Sequence, residues 1–563
     1  MTLKELFLSI SKQFHYKMET SMKHDTKQPN IIWVVTDSAR NFSTGGLDDR
    51  DRPEFFDTIA DSFVNFENTV TSAPSSVMSG SCMLSGMNSY YIGRNYDDFR
   101  YEEGAFPNLA SILRNTGYET KGIFVAREMR EKIAPFIGHV EKENWPQNLS
   151  HSQRMWTNED ANEVLDNYLT KRNDDKPLFL MLWNNIRHDL NISKNLETLV
   201  KVLKDRSYYE DSVIIFCADH GYPHPRRGFT PENLKREGLT HDLMLGDDNI
   251  LIPLLIKTPD CMPRNVDKQV GTIDLFPTIL DYTNIKTYDG KENFPQSGGS
   301  LRSLLVGEDG DSLFDNRSIR CDCRFFGQSQ RKTAIRQGQY KYVFSHDDNV
   351  EEFFDIIYDP SEDKNLILLK DYIDKIGELR AIFQEEESKA NDFQEQYIAK
   401  KLVNTLSSNN LAKDLVIFSL QGSQINDRII TALNNSSDFN IKVFIGELSI
   451  DSSSLPFHFS DVLNLNVNQY DEIKNLLSNG ADACLLYAES GSSYTDSINT
   501  IKNNGIKLKQ KFDINFQSDA DIQWEFSRAI KALLNRRKLI QSEPLLLITY
   551  AKEYIQRLFK KFK

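Results

Sequence analysis

Thr71-Ser72-Ala73-Pro74-Ser75-Ser76-Val77-Met78-Ser79-Gly80-Ser81-Cys82-Met83-Leu84-Ser85-Gly86 is the stretch on which the reading of this 563-residue chain turns. It follows Phe63-Val64-Asn65-Phe66, which alternates as a short strand does, and it runs into small and apolar residues suited to a helix. Pro74 fits the first helical turn, where its missing N–H costs nothing. Ser72 would then present its hydroxyl to the unpaired N–H groups at the positive end of the helix. A phosphate or sulfate oxygen is best received there. By itself the stretch reads as a strand, a Ser/Thr N-cap and a helix. The other strand ends decide whether it does more.

Composition narrows the classes. The length suffices for two or three domains with full cores. A hydrophobic content of 39% and a charged content of 26% are ordinary for a globular protein. The net charge of −14 argues against general nucleic-acid binding, which wants a basic face. Six cysteines (Cys82, Cys217, Cys261, Cys321, Cys323 and Cys484) are too scattered for a disulfide scaffold. Cys321 and Cys323 form a C-x-C without a second pair to complete a zinc site, and read as residues on one face of a strand. Met1 to Gln28 lacks the uninterrupted apolar core of a signal peptide, and no stretch is long and apolar enough to span a bilayer. A cytoplasmic location is the expectation.

Two apolar strands end in carboxylates. Asn30-Ile31-Ile32-Trp33-Val34-Val35 leads into Thr36-Asp37-Ser38-Ala39-Arg40, and Ser212-Val213-Ile214-Ile215-Phe216-Cys217 into Ala218-Asp219-His220-Gly221. In open α/β sheets, ligands bind at the carboxyl ends of strands. Asp219 and His220 together suit a borderline or hard divalent ion. Pro177 to Trp183 is a third apolar strand, closed by Asn184-Asn185-Ile186-Arg187-His188. Ile250 to Ile256 is a fourth, preceded by Thr240-His241.

These segments, in this order, resemble the sulfatase family within the alkaline phosphatase superfamily. There a Cys, Ser or Thr precedes x-Pro-Ser, and a helix ending in a small residue and Gly follows. The resemblance makes Ser72 the nucleophile. It makes Asp37, Asp219, His220 and the Ser72 oxygen the ligands of one divalent cation (Ca, Mg or Mn). His188 and His241 take its substrate-facing positions. Further matches are Gly271 to Leu280 (the D-L-x-P-T-x-L helix, with Asp274 structural), Ala334 to Tyr342, Glu352 to Asp355 and Asp359 to Leu366, so the likeness spans about Asn30 to Leu366.

Three departures qualify what the resemblance implies. In true sulfatases the nucleophile is oxidised to formylglycine, and the signal includes an Arg two places after the Pro; here that place holds Ser76. Formylglycine is therefore not expected. Many members carry a second Asp after the first, where this chain has Ser38. The family's G-K-W-H, whose Lys and His hold sulfate, is replaced by Phe124-Val125-Ala126-Arg127. Arg127 is the one substrate-binding cation left there; a solvated surface arginine is the other reading.

Beyond residue 370 the chain is charged and helical in pattern, then polar at Leu406-Ser407-Ser408-Asn409-Asn410. Strands at Asp414 to Leu420, Ile441 to Ile445 and Ala483 to Tyr487, with helical stretches between, form a small doubly wound pattern. Leu545 to Lys563 is a basic amphipathic pattern. It suits either peripheral contact with an anionic membrane or packing on its own domain.

The expected fold is an alkaline-phosphatase/sulfatase-like α/β sandwich with a central, mostly parallel sheet, plus a smaller C-terminal Rossmann-like α/β domain. The expected divisions are a helical extension (1–28), the catalytic domain (29–400), a linker (401–412), the Rossmann-like domain (413–520) and C-terminal helices (521–563). The expected activity is metal-dependent hydrolysis or transfer of a phosphate or sulfate ester, small or polymeric and anionic, on a glycan or lipid-linked intermediate. Phosphoester chemistry through an unmodified Ser72 is preferred. The alternatives are a formylglycine sulfatase and a degenerate binding protein without catalysis.

Overall fold

Three apolar runs occupy the middle of the larger sheet of this computed structural model. Ile31 to Val35, Leu178 to Leu182 and Val213 to Ala218 are all fully buried. Such runs, apolar at successive positions, mark strands covered on both faces. The structure describes residues 28–42, 51–92, 107–186, 191–223, 241, 244–286, 288, 294–308, 312–323, 332–346, 349–407, 414–420, 440–446, 479, 482–487 and 508–513. The expected helical extension (1–28, of which only residue 28 is described), His188, the helix after Leu420 and the basic tail lie outside these residues.

The strands of the first unit are β1 (Asn30–Asp37), β2 (Val64–Val70), β3 (Glu119–Phe124), β4 (Leu178–Asn185), β5 (Ser212–Ala218), β6 (Leu251–Lys257), β7 (Arg264–Val266) and β8 (Val270–Gly271). They form one sheet in the order β3-β4-β1-β5-β6-β2-β7, with β8 beside β2. The β3–β4, β4–β1 and β1–β5 pairs are parallel. Strand β6 runs antiparallel to both β5 and β2. Strand β2 therefore points the same way as β1, β4 and β5, so their carboxyl ends share one edge.

Helix α1 (Ser76–Ser85) follows β2, with Gly86 closing it in the left-handed conformation at φ 68°. Glycine adopts that conformation without strain. The helix starts later than Pro74 suggested. Ser75 stands at the N-cap with extended backbone and makes no side-chain cap. A residue before proline is pushed out of the helical region, so Ala73-Pro74 continues the turn and Ser72 is left outside the helix. Helices α2 (Asn158–Lys171) and α3 (Ile192–Asp205) pack together. Thr157 and Asp160 form a reciprocal capping box at the start of α2.

Helix α4 (Leu275–Tyr282) follows the 3₁₀ turn Thr272–Asp274. Asp274 is fully buried and accepts from the Gly271 amide at 2.7 Å, the Gly299 amide at 2.8 Å and both Arg317 terminal nitrogens at 2.6 and 2.7 Å. Its role is structural, as its place in the sequence pattern implied.

A second, antiparallel sheet runs β12-β11-β10-β9, from β9 (Ser318–Cys323), β10 (Lys332–Gln337), β11 (Tyr340–Ser345) and β12 (Val350–Asp355). Cys321 and Cys323 lie on β9 with both side chains in a buried apolar cluster. Asp247, read from sequence as a solvated loop acid, is instead in a buried charge network. It accepts from Lys341 Nζ at 2.9 Å and Arg336 Nε at 3.1 Å, and Lys341 also meets Glu362 at 2.6 Å. Asp248 is buried as well, at 5% exposure. Asp247 was misread because its partners lie about 90 residues downstream.

The described residues part into two units at Ile373/Asp374. The second contains helix α5 (Ile373–Ser407) and four parallel strands, β13 (Asp414–Leu420), β14 (Asn440–Gly446), β15 (Asp482–Tyr487) and β16 (Leu508–Asp513), in the order β14-β13-β15-β16. Three of these strands fall where the doubly wound pattern put them. Strand β16 (LKQKFD) went unread because its charged side chains give it no apolar run. Among the described residues, no helix is long and apolar enough to cross a membrane.

The Asp274 anchor yields a stability prediction. Asp274→Ala leaves the Arg317 guanidinium and two amides without their acceptor, and should destabilise the first unit by about 3–5 kcal/mol. Urea unfolding, read separately on the two units, checks this. Unfolding of the first unit within error of wild type would refute it.

Candidate functional site

The parallel strands deliver the site to one edge of the sheet. Asp37 ends β1, Asp219 follows β5, and Ser72 lies two residues beyond β2. Carboxylate oxygens of Asp37 and Asp219 and an imidazole nitrogen of His220 lie within 4.8 Å of one another. Asp219 and His220 are fully buried. Withdrawal from water and the neighbouring Asp219 carboxylate push Asp37 up to about 6, against partial relief from His220, the Ser38 hydroxyl and His241.

Hydrogen bonds orient each group. The Ser38 amide donates to Asp219 Oδ1 at 2.9 Å, its hydroxyl to Asp37 Oδ1 at 2.7 Å, and the Asn185 amide to Asp37 Oδ2 at 3.3 Å. Ser38 does this from a left-handed backbone at φ 67°. A non-glycine residue there is uncommon and strained. His220 Nδ1 lies 2.7 Å from the Gly221 carbonyl oxygen. A carbonyl only accepts, so Nδ1 carries a proton and Nε2 is left to receive the Ser76 hydroxyl at 3.2 Å. This arrangement, with the far nitrogen tied to a carbonyl, is the usual support of a metal-ligating histidine. Gly221 is required by close approach: a Cβ there would lie 2.4 Å from the Asp248 carbonyl oxygen.

These residues fit a divalent cation. Asp219 Oδ2 is buried without a hydrogen-bond partner and lies 3.4 Å from His220 Nε2. The Asp219 carboxylate, fully buried, and the half-buried Asp37 carboxylate beside it repel each other unless a positive charge sits between them. Asp37, Asp219 and His220 would hold the ion; the Ser72 oxygen is the fourth candidate.

Ser72 is fully buried, and its hydroxyl has no hydrogen-bond partner. It is therefore no N-cap. Its turn is tied to the cluster through Thr71, whose hydroxyl donates to the Asp219 carbonyl at 2.6 Å, and through Ser79, which donates to the same oxygen at 2.7 Å. Among the described residues nothing consumes the Ser72 hydroxyl, and an unpaired buried hydroxyl costs stability.

His241 joins the cluster. Its ring stacks on His220 with centroids 4.6 Å apart and also approaches Tyr222 at 5.4 Å. Arg127 begins a short helix, is largely exposed, and pairs with Glu131 at 2.6 Å. The structure thus gathers Asp37, Ser72, Asp219, His220 and His241, and uses Arg127 in a helical i,i+4 ion pair. Sequence reading missed Ser38, Ser76 and Asn185. The first two were noticed as losses; the register pairing Asp37 with Asn185 carried the signal for the third.

Comparison with known proteins bears on the family and the fold. The sulfatase family model matches residues 29–195 and 187–285. An ulvan-active sulfatase of Formosa agariphila is 22% identical over 431 residues, covering 62% of this chain and 80% of its own. A solved structure in complex with its substrate D-glucosamine-2-N,6-O-disulfate superposes with a TM-score of 0.52 at 15% identity, covering 65% of this chain and 99% of that one. A phosphonate monoester hydrolase of Agrobacterium radiobacter superposes at 0.50 with 14% identity, over 64% and 96%. At such identities the superpositions speak for the fold. The family model, the relatives and the shared fold together support assignment of the first unit of this chain to the sulfatase family of ester hydrolases.

Proposed function

We propose that this sulfatase-family hydrolase cleaves or transfers an anionic ester through an unmodified Ser72, with phosphoesters as the preferred substrates. The observation that carries the reading is the buried, unpartnered Ser72 hydroxyl on a turn hydrogen-bonded to Asp219. Ser76 supports it: the place of the maturation arginine is held by a hydroxyl already engaged with His220.

A bound divalent cation (Ca, Mg or Mn) lowers the pKa of a hydroxyl beside it and draws charge from the ester's non-bridging oxygens. Asp37, Asp219 and His220 supply its ligands. Ser72 Oγ attacks phosphorus, forming a serine–phosphate bond as the bond to the leaving oxygen breaks. His241, stacked on His220, and His188 are assigned the proton that the leaving oxygen takes up. Water, or an acceptor hydroxyl, then attacks the phosphoserine and restores Ser72. A sulfated serine is harder to clear, and formylglycine solves that problem by eliminating sulfate from its geminal diol. A chain that keeps serine therefore suits phosphorus better. The fold it shares with a phosphonate monoester hydrolase is compatible with that chemistry.

The second reading is a formylglycine-dependent sulfuric ester hydrolase, favoured by relatives named as sulfatases, among them an arylsulfatase of Clostridium perfringens at 22% identity over 479 residues. Mass spectrometry of the Thr71–Met78 peptide separates the two. An unmodified serine is expected, and a mass about two units lower would establish formylglycine. On aryl phosphate, Ser72→Ala should lose at least about a thousandfold in turnover. Retained turnover would remove Ser72 from the chemistry.

The metal reading gives two further outcomes. Asp219→Ala should abolish Mn²⁺ binding in calorimetry while the protein still unfolds cooperatively; wild-type affinity in the variant would refute the ligand role. The pH dependence follows from Asp37. Its folded value of about 6 lies above the unfolded one, so without metal its charge opposes folding, and this opposition grows as pH rises toward and through 6. Saturating Mn²⁺ should therefore raise the melting temperature more at pH 7.5 than at pH 5. An equal rise at both would contradict it.

A further inference from the structure

The second sheet grips the nucleophile turn through one carboxylate. Asp322, on β9, is 2% exposed. Its amide donates to the Ser72 carbonyl at 3.0 Å. Its side chain accepts from the Ser89 hydroxyl at 2.8 Å and from the Thr333 hydroxyl at 2.7 Å. Arg320 binds it as a fork, with Nε at 3.0 and 3.1 Å from the two oxygens and Nη2 at 2.9 Å. The same guanidinium lies over the Tyr90 ring, 5.0 Å from its centroid. One residue therefore holds the Ser72 turn by its backbone, and the Ser89–Ile92 helix and strand β10 by its side chain.

This matters because Ser72's hydroxyl makes no hydrogen bond of its own. Its direction is set entirely by the backbone that carries it. On one side that backbone is fixed by Thr71, through its amide to the Ile250 carbonyl and its hydroxyl to Asp219. On the other side it is fixed by Asp322. A displacement of about 1 Å between reacting groups costs on the order of a hundredfold in rate. The three candidate metal ligands besides the Ser72 oxygen are held by hydrogen bonds of their own.

We propose that Asp322 is a positioning residue for Ser72, holding the nucleophile turn against the second sheet. The proposal rests on Ser72 being the nucleophile. Its prediction is a selective loss of turnover. Asp322→Asn keeps the backbone amide but turns an NH₂ toward donors that need an acceptor. Ser89→Ala removes one strand of the clamp and spares the buried charge pair.

The test measures kcat and KM on an aryl phosphate, Mn²⁺ affinity and melting temperature in the full chain, with Ser72→Ala alongside. Asp322→Asn should lower kcat at least about tenfold, and Ser89→Ala about two- to fivefold, with KM and Mn²⁺ affinity within about twofold of wild type. Should Asp322→Asn fail to fold, Ser89→Ala decides. A kcat per folded molecule unchanged in the variants that fold, with Ser72→Ala inactive, overturns the positioning role alone. An active Ser72→Ala overturns the nucleophile reading and this inference with it.

Discussion

Two carboxylates set side by side at the edge of a sheet, Asp219 fully buried and Asp37 half-buried, are the constraint around which this site is built. Asp37 and Asp219 repel each other, and removal from water makes each charge more costly. The fold answers with directed hydrogen bonds. Ser38 contacts both carboxylates, one through its amide and one through its hydroxyl. The strained left-handed backbone at Ser38 is the conformation in which both contacts are made from one residue. A divalent charge at the centre would relieve the repulsion that these neutral donors only moderate.

The same edge explains why the nucleophile segment sits where it does. The Asp219 carbonyl accepts from both Thr71 and Ser79, so the turn and helix after β2 are anchored to the residue that would ligate the metal. Ser76, in the place of the family's arginine, engages His220 in turn. The departures from the family pattern are thus refilled by hydroxyl groups that bond to the cluster. That pattern belongs to a working site more than to a decaying one, since a decaying site has no reason to keep its carboxylates buried and its histidine oriented.

Other buried charges in the first unit are self-contained. Asp274 is saturated by four donors, and the Asp247 network balances two acids against Arg336 and Lys341. Each joins segments far apart in sequence, where a neutral network with every acceptor met rigidifies the fold. The metal cluster differs in carrying unmet acceptors. Asp219 Oδ2 and Ser72 Oγ have no hydrogen-bond partner.

The sequence alone determined the strands of the central sheet, because residues buried on both faces must be apolar at successive positions. It also determined the carboxylates and imidazole at the ends of β1 and β5, because those motifs are local and ordered. Only the tertiary structure decided what each polar residue does. Ser72 read as an N-cap until Pro74 proved to hold it outside the helix, and Asp247 read as a solvated acid until β11 brought Lys341 beneath it. Ser38 and Ser76 read as losses until the fold set their hydroxyls against Asp37 and His220. Arg127 read either as an anion-binding residue or as a surface arginine, and its helix supplies Glu131 as a partner. Strand formation depends on side-chain polarity along a few residues. The role of a polar group depends on which partner meets it, and those partners come from strands and turns up to some 270 residues away.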